Sequence, residues 1–384
     1  MTTKLNNNNL VIIRPYDPIR DRSSIEEICA NNYGGSDYLP KMADLYHADE
    51  LCSFLALEMT RKQQNDDDDD NDHANNKIVA AVANYKRLPA QNSVWIEAVR
   101  THANFRNQGL ASALLQSMLD LAKEEDSDRR RRNNLQQEQQ SPPTNILTCT
   151  VESNKGMQRV FEKLGFVQTN KICIVSFSAL RQLPGWSISD NAQGGKPLLD
   201  ALDLQHLLSP DATSIPASSW TTITSELRLL ELLREMQREG GTCGFLPGLF
   251  EYIVPGQNRL DLKQSLERGL VLELDIPSNK EMSGCDKCEE GRSERAILVF
   301  TQDERITSLK SNWICSISAH STLAFEAALH YAHSSDIAHR INGTTEMIPF
   351  CLCFDDAVPI KKGTIAHELP RGDDECIVFS YKYF

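Results

Sequence analysis

The stretch Ser93-Val-Trp-Ile-Glu97-Ala-Val99-Arg-Thr101-His-Ala-Asn-Phe-Arg106-Asn-Gln-Gly109-Leu-Ala111 decides the fold. Val94 to Thr101 alternates as a strand, a short polar loop follows, and Asn107 to Lys123 reads as a helix. Leu110, Leu114, Leu115, Met118 and Leu121 form the apolar face of that helix. The first N–H groups of a helix have no intrahelical partner, so such a helix start is an anion site. Gly109 and Ala111 let a ligand approach the backbone closely, and Arg106 adds a charged donor beside it. Pyrophosphate is the ligand suited to that arrangement. An R-x-x-G-x-A pattern is common by itself; its place between a strand and an amphipathic helix gives it weight.

Working outward, Leu10 to Arg14 reads as a strand and Arg20 to Asn31 as a helix with Ile25 and Ile28 on one face. Ser53 to Met59 and Ile78 to Tyr85 form a hairpin. Downstream come a strand at Ile146 to Val151, a helix at Gly156 to Leu164 and a strand at Lys171 to Phe177. This is an α+β pattern around one mixed sheet, assigned to a domain at 1–180. Segments 63–77, with the run Asp66 to Asp70, and 124–145, with Arg129 to Arg132 and a Gln-rich stretch, read as low-complexity insertions and surface loops. Residues 181–245 read as a linker carrying a helix from Ser225 to Arg238. Residues 246–384 repeat the first layout without its motif. The strands there are at Phe250 to Val254, Leu270 to Leu274, Ile297 to Phe300, Trp313 to Ile317, Ile348 to Phe354 and Cys376 to Tyr383, with a helix at Thr322 to His333. This half is expected to be a diverged duplicate that binds no cofactor of its own.

The chain has 384 residues, 40% of them hydrophobic, and a formal charge of −13, which suits packed domains and argues against a nucleic-acid partner. Residues 63–76 hold six Asp and no basic residue. The rest of the first 180 residues is therefore mildly positive, as suits an anionic cofactor. Neither a membrane-spanning segment nor a secretory signal is expected, and the eleven cysteines follow no paired framework. A cytoplasmic protein with reduced thiols follows. Cys285-Asp-Lys-Cys288 has no second pair at zinc-like spacing, so no metal is expected.

Two motifs in this order, Arg106 to Ala111 and then Asn154-Lys-Gly-Met157 to Phe161-Glu-Lys-Leu-Gly165-Phe166, resemble the GNAT acetyltransferases. The resemblance implies a GNAT fold over the first domain, a degenerate GNAT-like second domain, and acetyl-CoA as co-substrate. It implies that Arg106, Asn107, Gln108, Gly109, Leu110 and Ala111 hold the pyrophosphate. Val99 and Thr101 would offer backbone groups to the pantetheine arm, and Asn154 would contact the cofactor. Tyr33-Gly34-Gly35-Ser36-Asp37-Tyr38-Leu39-Pro40 is similar to a stretch of the vertebrate histidine N-acetyltransferases, which implies a free amino acid as acceptor. By itself the stretch is a tight Gly-Gly turn, a carboxylate able to accept from an ammonium, and two rings with polar tips.

Glu97 is the candidate general base, a carboxylate inside an apolar strand run. Strand alternation places Trp95, Glu97 and Val99 on one face. The family often has Tyr as general acid where this chain has Phe161, so Tyr33, Tyr38 or solvent would have to protonate the departing thiolate. The expected function is acetyl-CoA-dependent N-acetylation of a small free amino acid, histidine favoured. A polyamine, a xenobiotic amine or a protein N-terminus is the alternative acceptor, and a non-catalytic acyl-CoA-binding module the alternative class.

Overall fold

The computed structural model describes residues 2–4, 10–35, 37–60, 77–88, 93–134, 145–175, 208–239, 262–276, 294–302, 313–343, 351–355 and 376–381. The Asp-rich run, the Cys285–Cys288 pair, the strand expected at Phe250 to Val254 and most of the expected linker lie outside these residues. The chain divides into two compact units. One comprises Met1–Thr150, Asn154–Thr169 and Val378–Phe384; the other comprises Val151–Ser153 and Asn170–Ile377.

The first unit begins with β1 (Thr2–Lys4), β2 (Leu10–Pro15), α1 (Pro18–Cys29), α2 (Leu39–Ala48), β3 (Cys52–Thr60), β4 (Lys77–Leu88) and β5 (Ser93–Thr101). Then come α3 (Leu110–Asn134), β6 (Asn145–Val151) and α4 (Lys155–Lys163), and β7 (Val167–Val175) begins in this unit and ends in the other. Its strands run in the order β1-β2-β3-β4-β5-β6, antiparallel up to β5, with β5 and β6 parallel. The expected hairpin is β3–β4. Strand β4 is buried along nearly its whole length, which is why it reads as an almost continuous Val/Ala run rather than an alternation. Helix α3 covers the face of β4 that carries Tyr85, whose hydroxyl donates to Glu125 at 2.8 Å. Helices α1 and α2 cover the other face, where Tyr16 and Tyr46 pack on Phe54.

Local chemistry sets the helix starts. Asp17 caps α1 by accepting from the N–H groups of Ile19 and Arg20 at 2.9 and 3.2 Å, and Pro18 follows at the first helical position. Helix α2 has no counterpart in the sequence reading, which treats Tyr33 to Pro40 as a loop with a Gly-Gly turn; Pro40 sits in the first turn of the helix. Residues 124–134, read as the start of an insertion, continue α3. Glu125 is tied to Tyr85 and Arg87, and Asp126 to Arg129 and Arg130, so this polar stretch has the partners a helix needs.

The second unit contains α5 (Pro210–Thr213), β8 (Trp220–Thr222), α6 (Glu226–Arg238), α7 (Leu262–Glu267), β9 (Val271–Ile276), β10 (Glu294–Gln302) and β11 (Trp313–Ala319). Helices α8 (Thr322–Ala332) and α9 (Ser335–Asn342) and strand β12 (Cys351–Asp355) follow. The last strand, β13 (Cys376–Tyr381), lies beside β6. In the second unit β8, β9, β10 and β11 are antiparallel neighbours, and β11 pairs with β12 in parallel. Phe325 of α8 packs with Leu298, Phe300, Ile317 and Phe354, and Trp220 stacks on Tyr331 with ring centroids 4.7 Å apart.

Candidate active site

Strands β5 and β6 pair only from Ser93↔Asn145 to Ile96↔Thr148, with the Thr148 hydroxyl donating to the Ile96 carbonyl at 2.9 Å. Beyond Ile96, β5 continues to Thr101 without β6 as a ladder partner, which opens a wedge between two parallel strands. At the mouth of the wedge β5 carries a bulge. Ala98 has φ 55°, and the register against β4 passes from Asn84↔Glu97 to Val82↔Arg100. The extra residue changes the face assignment made from simple alternation. Arg100, not Val99, joins Trp95 and Glu97 on the face of Asn84. Val99 and Thr101, both half-buried, remain on the strand that borders the wedge.

The loop after β5 delivers the start of α3. Asn107 and Gly109 have φ values of 64° and 80°, and a Cβ at Gly109 would meet nothing within 4 Å. Glycine is therefore needed there for its backbone conformation, not for space. Gly109 has no side chain with which to cap the helix, and the first bond of the helix runs from the Ala113 N–H to the Gly109 carbonyl at 3.0 Å. The N–H groups of Leu110, Ala111 and Ser112 are thus left at an open helix start. Arg106 is exposed and donates to Asn32 Oδ1 at 3.2 Å; Gln108 is half-buried. His102 braces the loop from behind, accepting from the Asn104 N–H at Nδ1 (3.2 Å) and facing Glu27 with Nε2 (3.0 Å). Asn154 caps α4 through Oδ1 to the Met157 N–H at 3.1 Å, which leaves its Nδ2 to offer outward.

Glu97 is half-buried and accepts at Oε1 from Asn84 Nδ2 at 3.2 Å. Asn84 also lies 3.5 Å from Cys52 Sγ. Burial pushes the Cys52 thiol up to about 12, so it is protonated near neutral pH and is a poor nucleophile. Phe161 is buried against Phe166, with ring centroids 5.5 Å apart.

Of the Tyr33 to Pro40 stretch, Asn32–Gly35 forms a 3-10 turn with Gly35 at φ 86°. The Asp37 carboxylate is gripped by Arg100, with Nε at 2.7 Å and Nη2 at 3.1 Å, and by the Leu39 N–H at 3.1 Å and Asn32 Nδ2 at 3.2 Å. Burial opposes its charge, but Arg100 and the other two donors outweigh it and hold the carboxyl below the usual range. The Arg100 guanidinium sits 5.5 Å from the centroid of the Tyr38 ring. Arg100, Asn84, Lys86 and Trp95 had not been singled out as site residues. The signal was present for Asn84 and Lys86: polar residues inside an apolar strand, the argument used for Glu97.

An open helix start with an arginine beside it, next to a wedge between parallel strands, fits an extended ligand that ends in a pyrophosphate. Residues 39–136 match the Acetyltransferase (GNAT) family. The match is to a GNAT acetyltransferase domain over those residues. The α+β architecture with a mixed sheet is the GNAT fold, and acetyltransferases of that family take their acetyl group from acetyl-CoA. Similar solved structures include the ribosomal-protein-S18-alanine N-acetyltransferase from Escherichia coli, at 15% identity over 42% of this chain and 80% of that one, with a TM-score of 0.29. The GNAT domain of S. lividans PAT covers 44% and 88% at 16% identity, with a TM-score of 0.31. Arabidopsis thaliana NAA60 in complex with acetyl-CoA covers 42% and 88% at 13% identity, with a TM-score of 0.32. No curated protein matches the chain. Among the described residues, no group of three His, Cys, Asp or Glu could hold a metal, and no helix is long and apolar enough to cross a membrane.

Proposed function

We propose that the protein N-acetylates a small free amino acid, histidine being the first to try, by direct transfer with Glu97 as general base. One observation carries this reading: Glu97 is held by Asn84 one residue before the Ala98 bulge, where β5 leaves β6. Acetyl-CoA supplies the acetyl group as an activated thioester. The N–H groups of Leu110 and Ala111, with Arg106 and the turn Asn107-Gln108-Gly109, hold the pyrophosphate. Val99 and Thr101 offer backbone groups to the pantetheine arm, and Asn154 adds a contact through Nδ2. Glu97 then takes a proton from the acceptor ammonium, directly or through a water.

The raised Cys52 thiol supports direct transfer over an acetylated cysteine. Phe161 cannot protonate the departing thiolate, which leaves that step to Tyr33, Tyr38 or solvent. The acceptor loop is the stretch Tyr33, Gly34, Gly35, Asp37 and Tyr38. Since Asp37 is engaged by Arg100, its part in this reading is to hold the loop in shape. We read the second unit as a diverged GNAT-like domain that binds no acetyl-CoA. In support, β11 and β12 form a parallel crossover through α8, with α9 added after it, as β5 and β6 do through α3. The acceptor is a small molecule, and the protein works in the cytoplasm.

Purified protein incubated with acetyl-CoA and an amino-acid panel is expected to release CoA, with histidine among the substrates; silence with every amino acid and amine would sink the proposal. Profiling against polyamines, xenobiotic amines and peptide N-termini separates the other acceptors. Glu97→Gln is expected to lower kcat by about 10²–10⁴-fold. The loss should be greatest at low pH, where the acceptor is protonated and most needs a base. An unchanged pH–rate profile would remove Glu97 from that role.

A further inference from the structure

We propose that Asn84, Lys86 and Trp95 form a recognition site for the paired carboxylate and ammonium of a free α-amino acid. The proposal rests on the amino-acid reading above and deepens it by naming the residues that would tell a free amino acid from a peptide N-terminus or a simple amine. The register sets the cluster on one face of the sheet. Lys86 lies opposite Trp95 on β5 and opposite Cys52 on β3, and Asn84 lies opposite Glu97. All three side chains are buried: Asn84 is 0%, Trp95 1% and Lys86 3% exposed. Residues directly opposite on one face have Cβ atoms about 4.5–5.5 Å apart, so the cluster adjoins the candidate base. The Cys52 thiol lies in the same neighbourhood: burial raises its pKa most, the Asn84 hydrogen bond and the charge of Lys86 lower it, and the charges of Asp49 and Glu97 raise it.

Two atoms of this cluster are buried without a hydrogen-bond partner, Trp95 Nε1 and Asn84 Oδ1. Buried polar atoms are ordinarily satisfied, and a donor and an acceptor orphaned at diagonal positions of one face are costly. The amide orientation of Asn84 follows from its neighbour. Its nitrogen faces the Glu97 carboxylate, which an oxygen would repel, so Oδ1 is left to accept. An indole N–H and an ammonium on Lys86 suit a carboxylate. An amide oxygen and the Glu97 carboxylate suit an ammonium. An α-amino acid presents both groups on adjacent carbons. A peptide N-terminus has an amide in place of the carboxylate, and a polyamine lacks it altogether.

The test compares a free amino acid, its carboxamide and its decarboxylated amine (histidine, histidinamide and histamine) with the full-length protein and with Lys86→Met and Trp95→Phe. The wild type is expected to prefer the acid by about 100-fold in kcat/KM, because the carboxamide has lost the negative charge and one of the two acceptor oxygens that the site would bind. Lys86→Met should bring acid and amide within about threefold through the acceptor KM, and Trp95→Phe should narrow the gap by about tenfold. The KM for acetyl-CoA should stay unchanged in both. If Lys86→Met fails to fold, Trp95→Phe, which keeps the ring and loses only the N–H side, carries the decision. An acid-to-amide ratio that is near one in the wild type, or that both variants preserve, overturns this site while leaving the amino-acid reading intact. Acetylation of other amines with no free amino acid accepted overturns both.

Discussion

In each unit a helix follows the inner strand of a parallel pair, α3 after β5 and α8 after β11, yet the two helices begin in opposite ways. Helix α3 starts at a glycine of positive φ, with Arg106 beside it and no side chain closing its first turn. Helix α8 starts at Ser321, whose Oγ accepts from the Ala324 N–H at 3.1 Å and donates to Glu294 at 2.8 Å. A carboxylate braces both turns, but at different points. In the first unit Asp37 grips Arg100, two residues ahead of the loop, and leaves the helix start clear. In the second the carboxylate sits at the helix start itself, where it favours the helix dipole and repels a phosphate. The strands differ in the same sense. Strand β5 bulges at Ala98 against β4, whereas β10 and β11 pair without a break from Ala296↔Ala319 to Gln302↔Trp313. The same crossover has an open or a closed helix start depending on where one carboxylate and one extra residue are placed.

Removing the first brace should have the largest effect. Asp37→Asn leaves a mostly buried Arg100 without its partner, and losing one member of a buried pair typically costs about 3–5 kcal/mol, readable as a lower urea midpoint of the first unit. The pH dependence follows from the depressed carboxyl. Its contribution is complete above the unfolded value of about 3.9 and fades as pH falls through the lower folded value. The wild type should therefore lose stability below about pH 4 more steeply than Asp37→Asn. A parallel decline in the two would show that Asp37 is not held as described.

Closing the open helix start comes next. Gly109→Val forces a β-branched residue to φ 80°, at a cost of about 1–2 kcal/mol, and should weaken CoA binding about tenfold by calorimetry. Unaltered affinity would mean that the turn does not hold the pyrophosphate. The smallest change is Ser321→Ala, which removes the cap of α8 and should cost about 1 kcal/mol in thermal unfolding while leaving CoA affinity untouched. Loss of CoA affinity in that variant would break the contrast between the two units.

Much of the first unit was legible because its signals are local. The Arg106–Ala111 turn, the amphipathic α3 and the hairpin β3–β4 all announce themselves within a few residues. The bulge did not, since one extra residue in a strand leaves the apolar composition unchanged and shows only in the register against β4. That single step put Arg100 on the face of Glu97 and so turned Asp37 from a free acceptor into the partner of a buried cation. Asn84 and Lys86 are hard to read from sequence because β4 is otherwise a Val/Ala core strand, and only its register against β5 sets them beside Glu97 and Trp95. The extension of α3 to Asn134 depends on Tyr85 and Arg87, which lie far away in sequence.

The position of β13 beside β6 bears on how the protein is made. Every residue of the candidate site is synthesised by Asn154, but the strand that flanks β6 is Cys376–Tyr381, so the sheet gains this neighbour only after a much longer stretch of chain has been made. Until then the nascent chain carries β6 as a bare edge, open to pairing with another molecule. A fragment cut near residue 180 would keep that edge for good, with all of its chemistry present and its solubility at risk.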